Sequence, residues 1–151
     1  MTPIASAATA LGMSRDTSDS DWRALRAAAF AVLERAYAPY SGFRVGAALK
    51  ARDGREFAAC NVENASYPAS MCAERAAIAA AIAAGARDLG AIVIATDAAE
   101  PVPPCGICRQ VLSELAPTIE VMSCTRGGRE SRWTISSLLP HPFTPQSLDH
   151  S

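Results

Sequence analysis

From Trp22 the apolar positions Leu25, Ala29, Val32, Leu33 and Ala36 recur at intervals of three and four. That period predicts an amphipathic helix, capped by Asp19, Ser20 or Asp21 and ending near Tyr37, ahead of Pro39. After a turn at Tyr40-Ser41-Gly42 the period changes to two: Phe43, Val45, Ala47 and Leu49 alternate as in a strand. Asp53-Gly54 supplies a hairpin turn, and Glu56 to Val62 returns as a second strand that carries Asn61 and Glu63 at its end. Helix formers run from about Met71 to Ala84, with Gly85 as the stop. Ala91 to Ala95 is unbroken apolar sequence suited to a buried central strand. A proline-bearing loop, Asp97 to Pro104, leads to a helix from Cys105 to about Leu115, halted by Pro117. Ile119 to Cys124 and Ser131 to Ile135 read as strands joined by the Arg126-Gly127-Gly128-Arg129 turn, and Ser136 to Leu139 as a short helical turn.

The order α-β-β-α-β-α-β-β implies a mixed five-stranded sheet between helices, a three-layer α/β/α sandwich. With 151 residues, half of them hydrophobic, the chain suits one well-buried domain, and no internal repeat divides it. The expected domain spans 21–143. Residues 1–20, rich in Ala, Ser, Thr and Asp, read as a disordered extension, and 144–151 as a short tail. A net charge of −1 without any Lys/Arg block excludes the footprint of a nucleic-acid binder and favours a small neutral substrate. Five cysteines lack disulfide-framework spacing, and the first residues lack a charged region ahead of an apolar core; a reducing cytoplasm is the expected compartment. No apolar run approaches the roughly 20 residues of a membrane helix.

The chemistry concentrates in Cys72-Ala73-Glu74-Arg75 and Pro104-Cys105-Gly106-Ile107-Cys108. Cys105 and Cys108, three apart, share a helix face, and a helix begun at Pro104 would hold both thiols in its first turn. Cys72 adds a third sulfur, and no fourth residue pairs with it at short spacing, so a zinc ion held here keeps a position for water. Glu74 lies about 200° around a helix from Cys72. Both reach one point only if Cys72 sits at the helix tip, where the loop-like Ser66 to Ser70 segment ends. Three thiolates on Zn²⁺ leave a net charge of −1, which two helix N-termini offset and which Arg75 and Arg109 could offset further by donating to sulfur.

These two motifs, with Asn61-Val62-Glu63-Asn64-Ala65-Ser66-Tyr67 and the following Arg109-Gln110, resemble the small zinc-dependent cytidine deaminases of pyrimidine salvage over about Asp21 to Phe143. The resemblance implies hydrolytic deamination of cytidine and 2′-deoxycytidine, one zinc per chain on Cys72, Cys105 and Cys108, and Glu74 as a proton shuttle that is not a ligand. It further implies nucleoside contacts from Phe43, Asn61, Glu63, Tyr67 and Ala73, hydrogen bonds from Arg75 to the ligand thiolates, and a homotetramer in which Phe143 reaches a neighbour's site. No nucleic-acid or membrane partner is expected.

Plainer readings stand beside these. Any one of the three cysteines alone reads as a small core residue, and Cys60 and Cys124, in apolar strand patterns, read that way outright. If either closed the site instead, the chain would be a non-catalytic zinc-stabilised interaction module with Glu74 on a solvated face. A deaminase of another aminopyrimidine nucleoside, such as blasticidin S, is the alternative within enzymes. His141 and His150 lie in or beyond a proline-rich segment, outside any metal spacing.

Overall fold

The computed structural model describes residues 16–149. Helix α1 (Asp19–Leu33) is opened by Ser18: its hydroxyl accepts the Asp21 amide, and the Asp21 carboxylate accepts the Ser18 amide, each at 3.2 Å. Asp21 is therefore the third helical residue of a capping box, and the cap lies one residue ahead of the three expected candidates. Thr17 donates through its amide and hydroxyl to the Glu120 carboxylate at 3.2 and 2.6 Å. Thr17 to Ser20 thus belong to the folded domain, in correction of the expected extension; residues 1–15 of that extension lie outside the described residues. At its other end α1 stops short of Tyr37, because the Tyr37 amide is taken by the Asn61 carbonyl at 3.0 Å.

Five strands follow the expected order: β1 (Val45–Ala51), β2 (Glu56–Cys60), β3 (Leu89–Thr96), β4 (Glu120–Thr125) and β5 (Glu130–Thr134). In space they run β2-β1-β3-β4-β5, with β3 and β4 parallel and the other pairs antiparallel. The remaining helices are α2 (Ala73–Ala83), α3 (Gly106–Leu115) and the single turn α4 (Ile135–Leu138). Two 3₁₀ turns, Tyr67–Ala69 and Pro145–Leu148, fall where the sequence reads as loop and tail. Among the described residues, no helix is long and apolar enough to cross a membrane.

The pleat sends alternate residues into two cores. Ala48, Val93 and Met122 pack against Trp22, Leu25, Ala29 and Leu33 of α1, while Leu49, Ile92 and Val121 pack with Ala77, Ile78 and Leu112 of α2 and α3. β3 is buried along its whole length, as its unbroken apolar run requires.

Close approach of α1 to β1 depends on Gly46. A Cβ there would collide with the Ala29 carbonyl oxygen and lie 2.8 Å from the Leu33 nitrogen, both backbone atoms that cannot swing aside. Gly46→Ala is expected to destabilise the fold by about 3 kcal/mol. The measurement is the denaturant midpoint at unchanged m-value; a midpoint equal to wild type would show that α1 shifts without cost.

Candidate active site

Cys72 is the N-cap residue of α2 and Cys105 that of α3, both in extended backbone, and neither helix has a side-chain cap bond. The free amides of each first turn therefore lend positive charge to the sulfurs. Pro104 lies ahead of the α3 cap rather than opening the helix, and Cys108 falls in the first turn. The three Sγ atoms lie within 4.8 Å of one another, with Cys72 and Cys105 at 3.7 Å. This is well beyond a disulfide bond. It is close to the edge of a tetrahedron with zinc–sulfur bonds of about 2.3 Å, about 3.8 Å. Among the described residues no other Cys, His, Asp or Glu joins the cluster. The donor set and its spacing fit zinc.

The thiols perturb one another. Cys72 is lowered to about 5, chiefly because Cys108 hydrogen-bonds to it, with Arg75 and Cys105 adding to the effect against burial. Cys108, wholly buried, is pushed far up by that same sharing with Cys72 and by desolvation. Sulfurs that contest a proton in this way suit a thiolate-binding cation that takes all of them deprotonated. Arg75 reaches the cluster, its Nη2 lying 4.0 Å from Cys72 Sγ and 3.0 Å from the Ser70 carbonyl it also serves. Arg109 does not. Its donors go to the Pro104 carbonyl at 2.7 Å and the Leu138 carbonyl at 3.1 Å. In correction of the expected contact to sulfur, it braces the approach to Cys105 against the end of α4.

Glu74 is the second residue of α2 and only 5% exposed. Because Cys72 turns out of the helix at the cap, the carboxyl and the sulfurs meet despite their spacing. Burial pushes the Glu74 carboxyl above its ordinary range, its own amide pulls it back, and the negative Cys72 sulfur raises it further. A carboxyl so placed is suited to take up and give back a proton.

Glu74, Cys72 and Cys105 border a cavity of about 390 Å³, in the range of small-molecule sites. It also brings together Phe43, Asn61, Glu63 and Ala73. Asn61 and Glu63 lie just past β2 rather than on it, in a segment held by bridges from Val62 to Tyr37 and Met71. The Asn61 amide is already engaged, Oδ1 accepting from the Val45 amide at 2.9 Å and Nδ2 donating to the Phe43 carbonyl at 2.8 Å. Tyr67 stands outside this cavity, 71% exposed, edge-on to Tyr40 in an adjoining depression. Phe143 is also exposed, and its carbonyl accepts from Gln110 Nε2 at 2.7 Å.

Sequence reasoning missed Ser41, Ser70, Met71, Val102 and Pro103 as cavity residues. In the sequence Ser41 reads only as part of a turn. Its closeness to Phe43 was the available signal. Val102 is set in place by its amide, which donates to the buried Ser123 hydroxyl at 3.1 Å; nothing in the proline-bearing loop announces that.

Residues 19–124 match the family model described as the cytidine and deoxycytidylate deaminase zinc-binding region. The chain belongs to that deaminase family. The match takes in Glu74 and all three clustered cysteines and stops short of Phe143. The cytidine deaminase of Halalkalibacterium halodurans is 46% identical over 117 residues, 77% of this chain and 89% of that one. That of Mycobacterium tuberculosis strain H37Rv is 39% identical over 130 residues, 86% and 85% of the two chains. A crystal structure of cytidine deaminase from Burkholderia pseudomallei superposes with a TM-score of 0.77 at 48% identity, covering 80% of this chain and 98% of that one. As a member of the deaminase family, the chain has the sheet order and zinc-type cysteine cluster in one fold.

Proposed function

We propose that this chain converts cytidine and 2′-deoxycytidine hydrolytically to the uridine nucleosides, releasing ammonia, in pyrimidine salvage. The observation that carries the reading is the buried Glu74 carboxyl beside a three-sulfur cluster at the wall of a nucleoside-sized cavity. Cys72, Cys105 and Cys108 would hold one zinc, and its Lewis acidity would bring water within reach of ionisation near neutral pH. Glu74 accepts the proton of the attacking water, holds the ring N3 as C4 is attacked, and delivers a proton to the departing amine. One carboxyl thus serves both directions, which its raised pKa favours.

Phe43 forms a wall for the pyrimidine, with Ala73 beside it, and Glu63 meets the sugar hydroxyls together with Asn61, whose backbone contacts leave one Nδ2 hydrogen and one Oδ1 lone pair to offer. The same reading takes the assembly to be a homotetramer. Tyr40, Val62, Tyr67, Ile107 and Phe143 are large apolar side chains left exposed, and neighbouring copies in such an assembly cover them. Phe143 then acts at a neighbour's pocket rather than its own, while Tyr67 borders Glu63 in the adjoining depression. Five free cysteines suit a reducing cytoplasm.

The test is the fall in ultraviolet absorbance on mixing purified protein with cytidine, alongside ammonia release. Turnover is expected, and a strong chelator is expected to abolish it until zinc is returned. Zinc-loaded protein that leaves cytidine intact while turning over another aminopyrimidine nucleoside would move the substrate assignment; protein inert toward the whole panel would end the enzymatic reading.

A further inference from the structure

The Ser41 hydroxyl joins two cavity residues that the sequence presents as independent. It donates to Glu63 Oε1 and accepts from the Phe43 amide at 3.0 Å. Glu63 Oε2 accepts the Tyr40 and Ser41 amides at 2.9 and 3.2 Å. A carboxylate offers about four acceptor positions, and these three bonds leave one, on Oε1. The Ser41 hydroxyl, more than any other contact, lowers the Glu63 carboxyl from its ordinary value and so favours a negative charge at that position.

The turn itself does not depend on this hydroxyl. Gly42 takes the left-handed conformation, φ +68°, and its amide closes the turn on the Ala38 carbonyl at 3.0 Å. Deleting the hydroxyl therefore leaves the backbone path in place. It frees Oε1, and the carboxylate plane, whose terminal torsion is broad, is then held through Oε2 alone. It also leaves the Phe43 amide without its partner.

We infer that Ser41 is a positioning residue for sugar recognition, aiming the remaining acceptor of Glu63 at a nucleoside hydroxyl. This rests on the reading of Glu63 as a sugar contact. The readout is the ratio of kcat/KM for cytidine to that for 2′,3′-dideoxycytidine, whose sugar ring carries no hydroxyls. Ser41→Ala is expected to lower that ratio about tenfold, through a raised KM for cytidine with kcat nearly kept. Ser41→Thr, which keeps the hydroxyl, is expected to restore it.

Zinc content and melting temperature are measured on each variant. If the alanine variant is unstable, Ser41→Cys, with a much weaker hydrogen bonder, is read in its place. Glu63→Gln separates the two ideas. A ratio unchanged in Glu63→Gln overturns the sugar contact and this inference with it. A ratio lowered in Glu63→Gln but unchanged on removing the Ser41 hydroxyl overturns the role of Ser41 alone, as does an equal loss on both substrates.

Discussion

Glu74→Gln is expected to keep its zinc and its fold while kcat for cytidine drops by about 10³-fold or more. The two side chains have nearly the same shape, so packing among Ala73, Ala77 and the sulfurs changes little. What changes is proton capacity. An amide can neither take the proton of the attacking water nor supply one to the leaving amine. A single positioned acid or base contributes about 10²–10⁴-fold, and one residue that serves both transfers belongs at the upper end of that range. Stability is expected to hold, because burial already penalises the charged form of Glu74 and a neutral amide escapes that penalty. The checks are turnover at saturating cytidine, zinc per chain, and the melting temperature. Turnover within about tenfold of wild type, with zinc retained, would remove Glu74 from the mechanism.

That the Cys72–Glu74 pair was legible in the sequence follows from one geometric constraint. Residues two apart on a helix point away from each other, so the pair made sense only at a helix tip, and the structure places Cys72 at the cap. The layers were legible for a similar reason. Period changes at Phe43 and the apolar run at Ala91 have few physical outcomes other than a strand pair and a buried strand. The failures lie where backbone groups from distant segments decide the outcome. α1 ends early because Tyr37 bonds to Asn61, a partner 24 positions away in number that no local pattern reveals. Ser18 was passed over because its reciprocal partner is Asp21 in place of the Glu or Gln of the usual signature. Arg109 follows a ligand-type cysteine directly, yet carbonyls nearer its guanidinium claim its donors. Glu63 was legible as a cavity residue, whereas its fixation by the Tyr40–Ser41 turn exists only once two loops meet.

Cys105→Ala carries the second large expectation: zinc lost and activity reduced to background. Three sulfurs leave no spare donor among the described residues, so deleting one leaves Cys72 and Cys108, already contesting a proton. Two ligands without a third forfeit most of the binding energy that a thiolate site draws on. A cation held by these cysteines would also link the N-termini of α2 and α3, and a ligand that binds only the folded state stabilises it in proportion to the logarithm of its excess over Kd. A loss of about 4 kcal/mol would lower the melting temperature of a chain of this size by about 10 °C. The decisive comparison is with chelator. Wild type is expected to fall to the melting temperature of Cys105→Ala when stripped, while the variant does not respond, since it has no metal to surrender. Cys124→Ala serves as the control, because Cys124 is buried against the α1 face of the sheet and is not among the clustered sulfurs. It should cost some packing and keep both zinc and turnover. A Cys105→Ala protein that still binds about one zinc and deaminates cytidine would mean that a fourth group, outside the cluster, holds the ion.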